Sequence, residues 1–278
     1  MNRKETAILQ SKIFIGAVLL LAALSSAAQD ASRSPLRSFT RLVWSDEFNY
    51  KGLPDTTRWR YEKGYVRNRE QQYYTDRRKQ NAEVKKGHLF ITVRNDSLQS
   101  DGDVRAITSA SLTTKGRGEW TYGRIEVRAK FSSALGTWPA IWTLGSNIDT
   151  VGWPACGEID MLEHVGYMPD TVHFNVHTKA YNHVIQTNKG EKVYSQAPHR
   201  KFHVYAIEWF PDRLDWYYDG KKVFSFANEG TGPDAWPFDK PQYLILNFAF
   251  GGAWGGIKGV NTKALPQQLV VDYVRVYQ

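Results

Sequence analysis

Residues 122–131 read Tyr-Gly-Arg-Ile-Glu-Val-Arg-Ala-Lys-Phe, and no other feature restricts the fold of the chain as strongly. Ile125, Val127, Ala129 and Phe131 fall on one side of an extended chain, and Arg124, Glu126, Arg128 and Lys130 fall on the other. A helix would scatter both sets around its axis, whereas a strand buries one and solvates the other. Stretches 88–94, 202–210, 214–218, 243–250 and 269–277 also favour strands by their Val, Ile and aromatic content. Asp219-Gly220, set between Trp-Tyr-Tyr and Lys-Lys-Val-Phe-Ser-Phe, predicts a tight hairpin. Pro and Gly punctuate the chain, and no long helical period is seen. Many strands without intervening helices imply an antiparallel sandwich or barrel. There is no internal repeat and no change of composition, so one all-β domain over 41–278 is expected.

The N-terminus has a different character. Arg3, Lys4 and Lys12 precede an apolar run from Ile13 to Leu24, followed by Ser25, Ser26, Ala27 and Ala28. This is the order of a secretory signal peptide over residues 1–28, with a short linker over 29–40. Twelve residues rise only about 18 Å as a helix, too short for a hydrocarbon core of about 30 Å. An uncleaved anchor is the rival reading. Export to the periplasm or medium is expected. Removing this segment takes away three basic residues and one acidic residue, so the net charge falls from +8 to +6. The single Cys, Cys156, excludes a disulfide framework and a multi-cysteine zinc site, and reads as a small buried packing residue.

Residues 157–164 carry the chemistry: Gly-Glu-Ile-Asp-Met-Leu-Glu-His. On a regular strand Glu158 and Asp160 share a face and Glu163 points to the other. A bulge at Met161-Leu162 returns Glu163 to the first face. Three carboxylates so placed repel one another, and at least one must hold its proton more tightly. A retaining glycosidase needs such a pair, one nucleophile and one acid/base about 5–5.5 Å apart. A solvated acidic face is the plainer alternative, and the flanks weigh against it. Trp138, Trp142 and Trp153 precede Glu158 closely. Indoles pack on the apolar faces of sugar rings while polar groups bind the hydroxyls. Trp138 and Trp153, each followed by Pro, read as loop positions at a cleft rim, and Trp142 reads equally well as core.

The segments YGRIEVRAKF, TWPAIWTLGSN and WPACGEIDMLEHVG resemble glycoside hydrolase family 16, in particular its bacterial laminarinases. The likeness runs from LVWSDEF through REQQYYT and LILNFAFGG to VDYVRVYQ. It implies a β-jelly-roll sandwich of two curved antiparallel sheets with a substrate cleft on the concave face. It also implies retention of configuration, with Glu158 as nucleophile, Glu163 as acid/base and Asp160 assisting. Trp138, Trp142, Trp153 and His177 match cleft positions. Asn68 and Glu70 match part of an Asn-Asn-Glu stretch in which Arg69 replaces the second Asn. Arg124 is a candidate hydrogen-bond donor to substrate, and Trp254 in Gly-Gly-Ala-Trp-Gly-Gly a candidate cover for the cleft. No cofactor is required for catalysis. The resemblance also suggests one structural calcium on Glu47, the Gly87 carbonyl and Asp272.

The expected partner is a β-glucan, pure β-1,3 or mixed β-1,3-1,4, acted on by a monomer. Two other readings share the fold: hydrolysis of a marine galactan such as agarose or carrageenan, and β-glucan binding without turnover. Nucleic-acid binding is disfavoured, because the basic residues are dispersed apart from Arg77-Arg78-Lys79 and Lys85-Lys86.

Overall fold

The alternating run forms the strand Gly123–Phe131, with Ile125, Val127, Ala129 and Phe131 buried between two sheets. The computed structural model describes residues 39–278, so the expected signal peptide and almost all of the linker lie outside the described residues. The other expected strands form at Arg213–Tyr218, His203–Trp209, His88–Ser100, Gln242–Phe250 and Gln267–Tyr277. At the hairpin turn Asp219 and Gly220 both take positive φ (49° and 78°), and Tyr218 pairs with Lys221 across it. Two central residues with positive φ are what a type I′ turn requires. Helical structure among the described residues is limited to Ile148–Val151 and two short 3₁₀ turns. Among these residues no helix is long and apolar enough to cross a membrane.

Ten strands form one sheet and eight form the other. Pairing is antiparallel throughout, except where Tyr73–Tyr74 runs parallel to Asp103–Ser109. The architecture is a jelly-roll sandwich. In the eight-stranded sheet the order is Lys189–Tyr194, Thr171–His177, Glu158–Glu163, Thr137–Gly145, Gln242–Phe250, Ser111–Thr113, Arg60–Glu62, with Glu119–Trp120 pairing beside Gln242–Phe250. The carboxylate strand therefore lies inside the sheet, held by neighbours on both sides.

The core between the sheets draws Ile159, Met161 and Leu162 from the carboxylate strand and Ile141, Leu244, Leu246 and Phe248 from the strands beside it. From the facing sheet come Ile125, Val127, Ile207, Trp216, Val271 and Val274. Trp59, Trp209 and Trp216 are fully buried. Trp44 packs edge-on against Trp59 and Trp120, at ring-centroid distances of 5.6 and 5.4 Å. Much of the tryptophan content is thus a packing device. A second, smaller apolar cluster lies on the other side of the eight-stranded sheet. It joins Ala140, Trp142, Leu144, Tyr243 and Ile245 with Cys156, which is fully buried.

Candidate active site

The register shows how the carboxylates come together. On one side Leu144 pairs with Glu158, Trp142 with Asp160 and Ala140 with Glu163, and the register slips between Ile141 and Trp142. On the other side His177 pairs with Glu158, Asn175 with Asp160 and His173 with Glu163, with a slip between Asp160 and Glu163. Directly paired residues project to the same face, so the slip at Met161-Leu162 is the bulge that aligns all three acids. The same bulge sends Met161 and Leu162 into the core. Gly157 precedes the strand at φ 78°, and a Cβ there would meet Pro237 Cγ at 2.6 Å. Only glycine fits this entry turn.

Each acid has its own partners. Trp153 Nε1 donates to Glu158 Oε2 at 2.6 Å. Trp138 Nε1 donates to Glu163 Oε1 at 3.0 Å, and Asn175 Nδ2 to Glu163 Oε2 at 3.3 Å. His177 Nε2 lies 3.4 Å from Asp160 Oδ2 and 3.9 Å from Glu158 Oε1. Asp160 is only 1% exposed, and its Oδ2 has no hydrogen-bond partner. Glu158, Asp160 and His177 bring a ligating atom each within 4.8 Å of one another.

Burial, then the charge of Asp160, pushes Glu158 up to about 8. Burial, then the charge of Glu158, pushes Glu163 up to about 7. Asp160 is raised well above the usual range, by burial first and Glu163 second. That order places Glu158 above Glu163, the reverse of what a nucleophile and an acid need. The proton on Asp160 resolves it. The most deeply buried of the three keeps its proton, and a neutral Asp160 no longer repels Glu158 but can donate a hydrogen bond to it. Glu158 then ionises first, and its charge continues to hold the proton on Glu163.

Most of the other expected residues gather at this face. Trp153 is 36% exposed and sits on a loop, as expected. Trp138 does not: it belongs to the strand Thr137–Gly145. Pro139 is tolerated there because its carbonyl faces His164, one residue past the end of the neighbouring strand. Trp142 occupies the cleft face yet is nearly buried, with its Nε1 bonded to Asn247 Oδ1 at 2.7 Å and Arg67 5.0 Å above its ring. Trp254 packs edge-on against Trp138 and His173, at 5.5 and 4.9 Å. Asn68 is exposed and reaches Glu70 Oε1 at 3.4 Å. Glu70 is buried and bonded to Gln72 and Tyr74, and Tyr74 connects through Asn247 to Trp142. Glu70 therefore supports the floor of the site and does not line an open rim.

Arg124 is a correction. It lies in the other sheet, 4% exposed, paired with Glu126 at 2.8 Å and Glu208 at 3.2 Å. Its alternation identified the polar face of its strand, but that face is turned away from the carboxylates. The calcium candidates cluster in a corner: Asp46 pairs with Val274, and Leu89 with Val271. Their carboxylates are already compensated. Arg275 donates twice to Glu47, at 2.9 and 2.8 Å, and Asp272 pairs with Arg128 and faces His88 Nε2 at 3.5 Å. As placed, these side chains fit a salt-bridged corner and not an open oxygen cage.

Several residues at the site were not expected. His173 and Asn175 share the face of His177, and the alternation in His-Phe-Asn-Val-His carried that signal. Burial depresses the His173 imidazole to about 4, so it is neutral, and its Nε2 is buried without a partner. Arg67 had no local signal.

Comparison with known proteins agrees with this geometry. The family described as "Glycosyl hydrolases family 16" matches residues 69–275. The chain is 48% identical over 272 residues to a beta-glucanase of Rhodothermus marinus, covering 94% of this chain and 93% of that protein. The laminarinase structure from Rhodothermus marinus superposes with a TM-score of 0.82 at 48% identity, covering 87% of this chain and 98% of the other. A non-specific endo-beta-1,3(4)-glucanase from family GH16, crystallised with 1,3-beta-D-cellotriosyl-glucose, gives a TM-score of 0.82 at 46% identity. That match covers 87% of this chain and 95% of the other.

Proposed function

This chain belongs to glycosyl hydrolases family 16, and on that footing we propose that it hydrolyses internal β-1,3 linkages of laminarin-type β-glucans with retention of configuration. The observation that carries the reading is the bulged strand, which sets Glu158, Asp160 and Glu163 on one buried face under two indole donors. In the first step a Glu158 carboxylate oxygen attacks the anomeric carbon. The glycosidic C–O bond breaks, and its electron pair leaves on the oxygen that takes the Glu163 proton. In the second step Glu163 takes a proton from water as the water oxygen attacks the anomeric carbon, and the ester bond to Glu158 breaks. Asp160 holds a proton toward Glu158, and His177 faces both. Trp153 and Trp138 orient the two glutamates and present ring surface to the sugar. No cofactor takes part.

The deciding experiment compares products from laminarin, mixed-linkage barley glucan, agarose and carrageenan. Release of short β-1,3 oligosaccharides from laminarin is expected. Turnover of a galactan with laminarin left intact would overturn the reading. Cleavage of barley glucan alongside laminarin would place mixed linkages within the substrate range.

The reading includes three further elements. Export rests on the charged, apolar, small-residue order of residues 1–28, and N-terminal sequencing of secreted protein tests it. Action as a monomer is tested by light scattering. A structural calcium on Glu47, the Gly87 carbonyl and Asp272 would have to draw those carboxylates from Arg275 and Arg128. A calcium-dependent rise in Tm, lost with a chelator, would reveal it.

A further inference from the structure

Glu158, Asp160 and His177 meet in a geometry that glycoside hydrolysis does not require. Glu158 pairs with His177 across the ladder, and Asp160 follows two residues on along the same face. Trp153 holds Glu158 by Oε2, which leaves Oε1 on the side of His177. His177 Nε2 stands 3.4 Å from Asp160 Oδ2 and 3.9 Å from Glu158 Oε1. One ligating atom from each residue lies within 4.8 Å of the other two. Ligands about 2.1 Å from a tetrahedral ion sit about 3.4 Å apart, so one edge of such a site is already set. Two neighbouring acids do not make a metal site by themselves, but Asp160 adds a separate pointer. It is 1% exposed, and its Oδ2 has no hydrogen-bond partner although it faces an imidazole nitrogen. A buried carboxylate oxygen left open is costly, and a cation shared with the imidazole relieves that cost.

One imidazole nitrogen and two carboxylate oxygens select the ion. Calcium takes about six to eight oxygen ligands and magnesium an octahedron of oxygens, and neither favours imidazole. Zinc binds histidine nitrogen and carboxylate oxygen together in a four-coordinate site, and three protein ligands leave its fourth corner to water. The outer support is incomplete. Trp153 steadies Glu158, but His177 Nδ1 is buried without an acceptor. A missing outer partner of this kind costs about 10- to 100-fold in affinity, which points to micromolar, reversible binding and not to a permanent structural ion.

We propose that Glu158, Asp160 and His177 form a zinc site whose occupation inhibits the enzyme. The bound ion engages the Glu158 carboxylate, whose free electron pair the first step needs, and draws Asp160 and His177 from their places beside it. The inhibition rests on the β-glucanase reading above, whereas the metal site does not.

Calorimetric titration of zinc chloride into the full chain tests the site, and one ion per chain is expected. His177→Ala, His177→Gln and Asp160→Asn, kept where thermal melts establish that they fold, are each expected to weaken that binding at least about tenfold. Cobalt(II) absorbs strongly in the visible when four-coordinate. That absorption is expected in the wild type and should be lost in the variants. Laminarin turnover is expected to fall as zinc fills the site and to return with a chelator, while calcium and magnesium at equal concentration do not inhibit. No zinc binding, or binding that all the variants retain, would overturn the site and leave the glucanase reading standing. Binding at these three residues with turnover unchanged would overturn the inhibition. A chain that binds zinc there yet cuts no β-glucan would uphold the site and overturn the glucanase reading, and the inhibition with it.

Discussion

Trp216 Nε1 donates to the carbonyl oxygen of Asp160 at 2.8 Å, reaching from one sheet through the core to the back of the carboxylate strand. Beyond Asp160 the bulge interrupts the ladder. A carbonyl left without a partner at that point would be buried and costly, by about 1–3 kcal/mol. The indole fills the gap and fixes the bulge that turns Glu163 to the cleft. Trp216→Phe keeps a ring in the core and removes the donor. The loss expected is about 2–4 kcal/mol in denaturant unfolding, with the smaller ring adding a cavity cost. The kcat is expected to drop by about ten- to a hundredfold, because Glu163 is no longer held in place. Loss of stability with an unchanged kcat would show that Trp216 only packs.

The two glutamates are distinguishable by leaving group. Glu158→Ala removes the nucleophile, so turnover of laminarin and of an aryl β-glucoside oligomer should both fall by at least about a thousandfold. Glu163→Gln removes the proton donor. Laminarin turnover should fall comparably, whereas a dinitrophenyl leaving group needs little protonation and should still depart to form the glycosyl-enzyme. A burst of dinitrophenolate followed by slow turnover is the expected trace. An identical response of both variants to both substrates would contradict the division of roles.

The pH profile follows from the proton held by Glu163. Its carboxyl is raised to about 7 by burial and by the Glu158 charge, and it must be protonated for the first step. Activity is therefore expected to decline as pH rises through about 7, with the acid limb set by ionisation of Glu158. His177 faces Glu158 and Asp160. His177→Ala withdraws a group whose charge lowers both glutamates, so both limbs of kcat/KM should move to higher pH. Limbs that stay in place while the rate falls would mean that His177 only contacts substrate.

The alternating run and the Asp-Gly turn were legible because period and turn chemistry are local properties. The bulge was legible too, since Glu158, Asp160 and Glu163 cannot share a face without one. What was not legible is which sheet a strand joins. Arg124 has the polar alternation of a cleft residue, but periodicity gives faces and not partners, and its strand pairs with His203–Trp209 and Gln267–Tyr277 in the opposite sheet. Trp138 was expected in a loop because of Pro139, and the place where the neighbouring strand ends made that proline acceptable. Arg67 reaches Trp142 from 75 residues away, a tertiary contact with no sequence signature.

The carboxylate cluster should cost stability at neutral pH. Glu163 ionises near its ordinary value when unfolded but only at about 7 in the fold, while Asp160 remains neutral well above its own. Between those values the unfolded chain has released protons that the folded chain still holds. Stability then falls as pH rises from about 4.5 toward 7. Asp160→Asn and Glu163→Gln replace a carboxyl with a neutral amide of similar shape. Each is expected to gain about 1 kcal/mol or more at pH 8, seen as a rise of about 2–4 °C in Tm per kcal/mol. At about pH 2, well below both unfolded values, the wild-type carboxyls are protonated in both states, and the gain should vanish. A gain equal at both pH values would mean that packing, and not the cost of ionising buried acids, sets the difference.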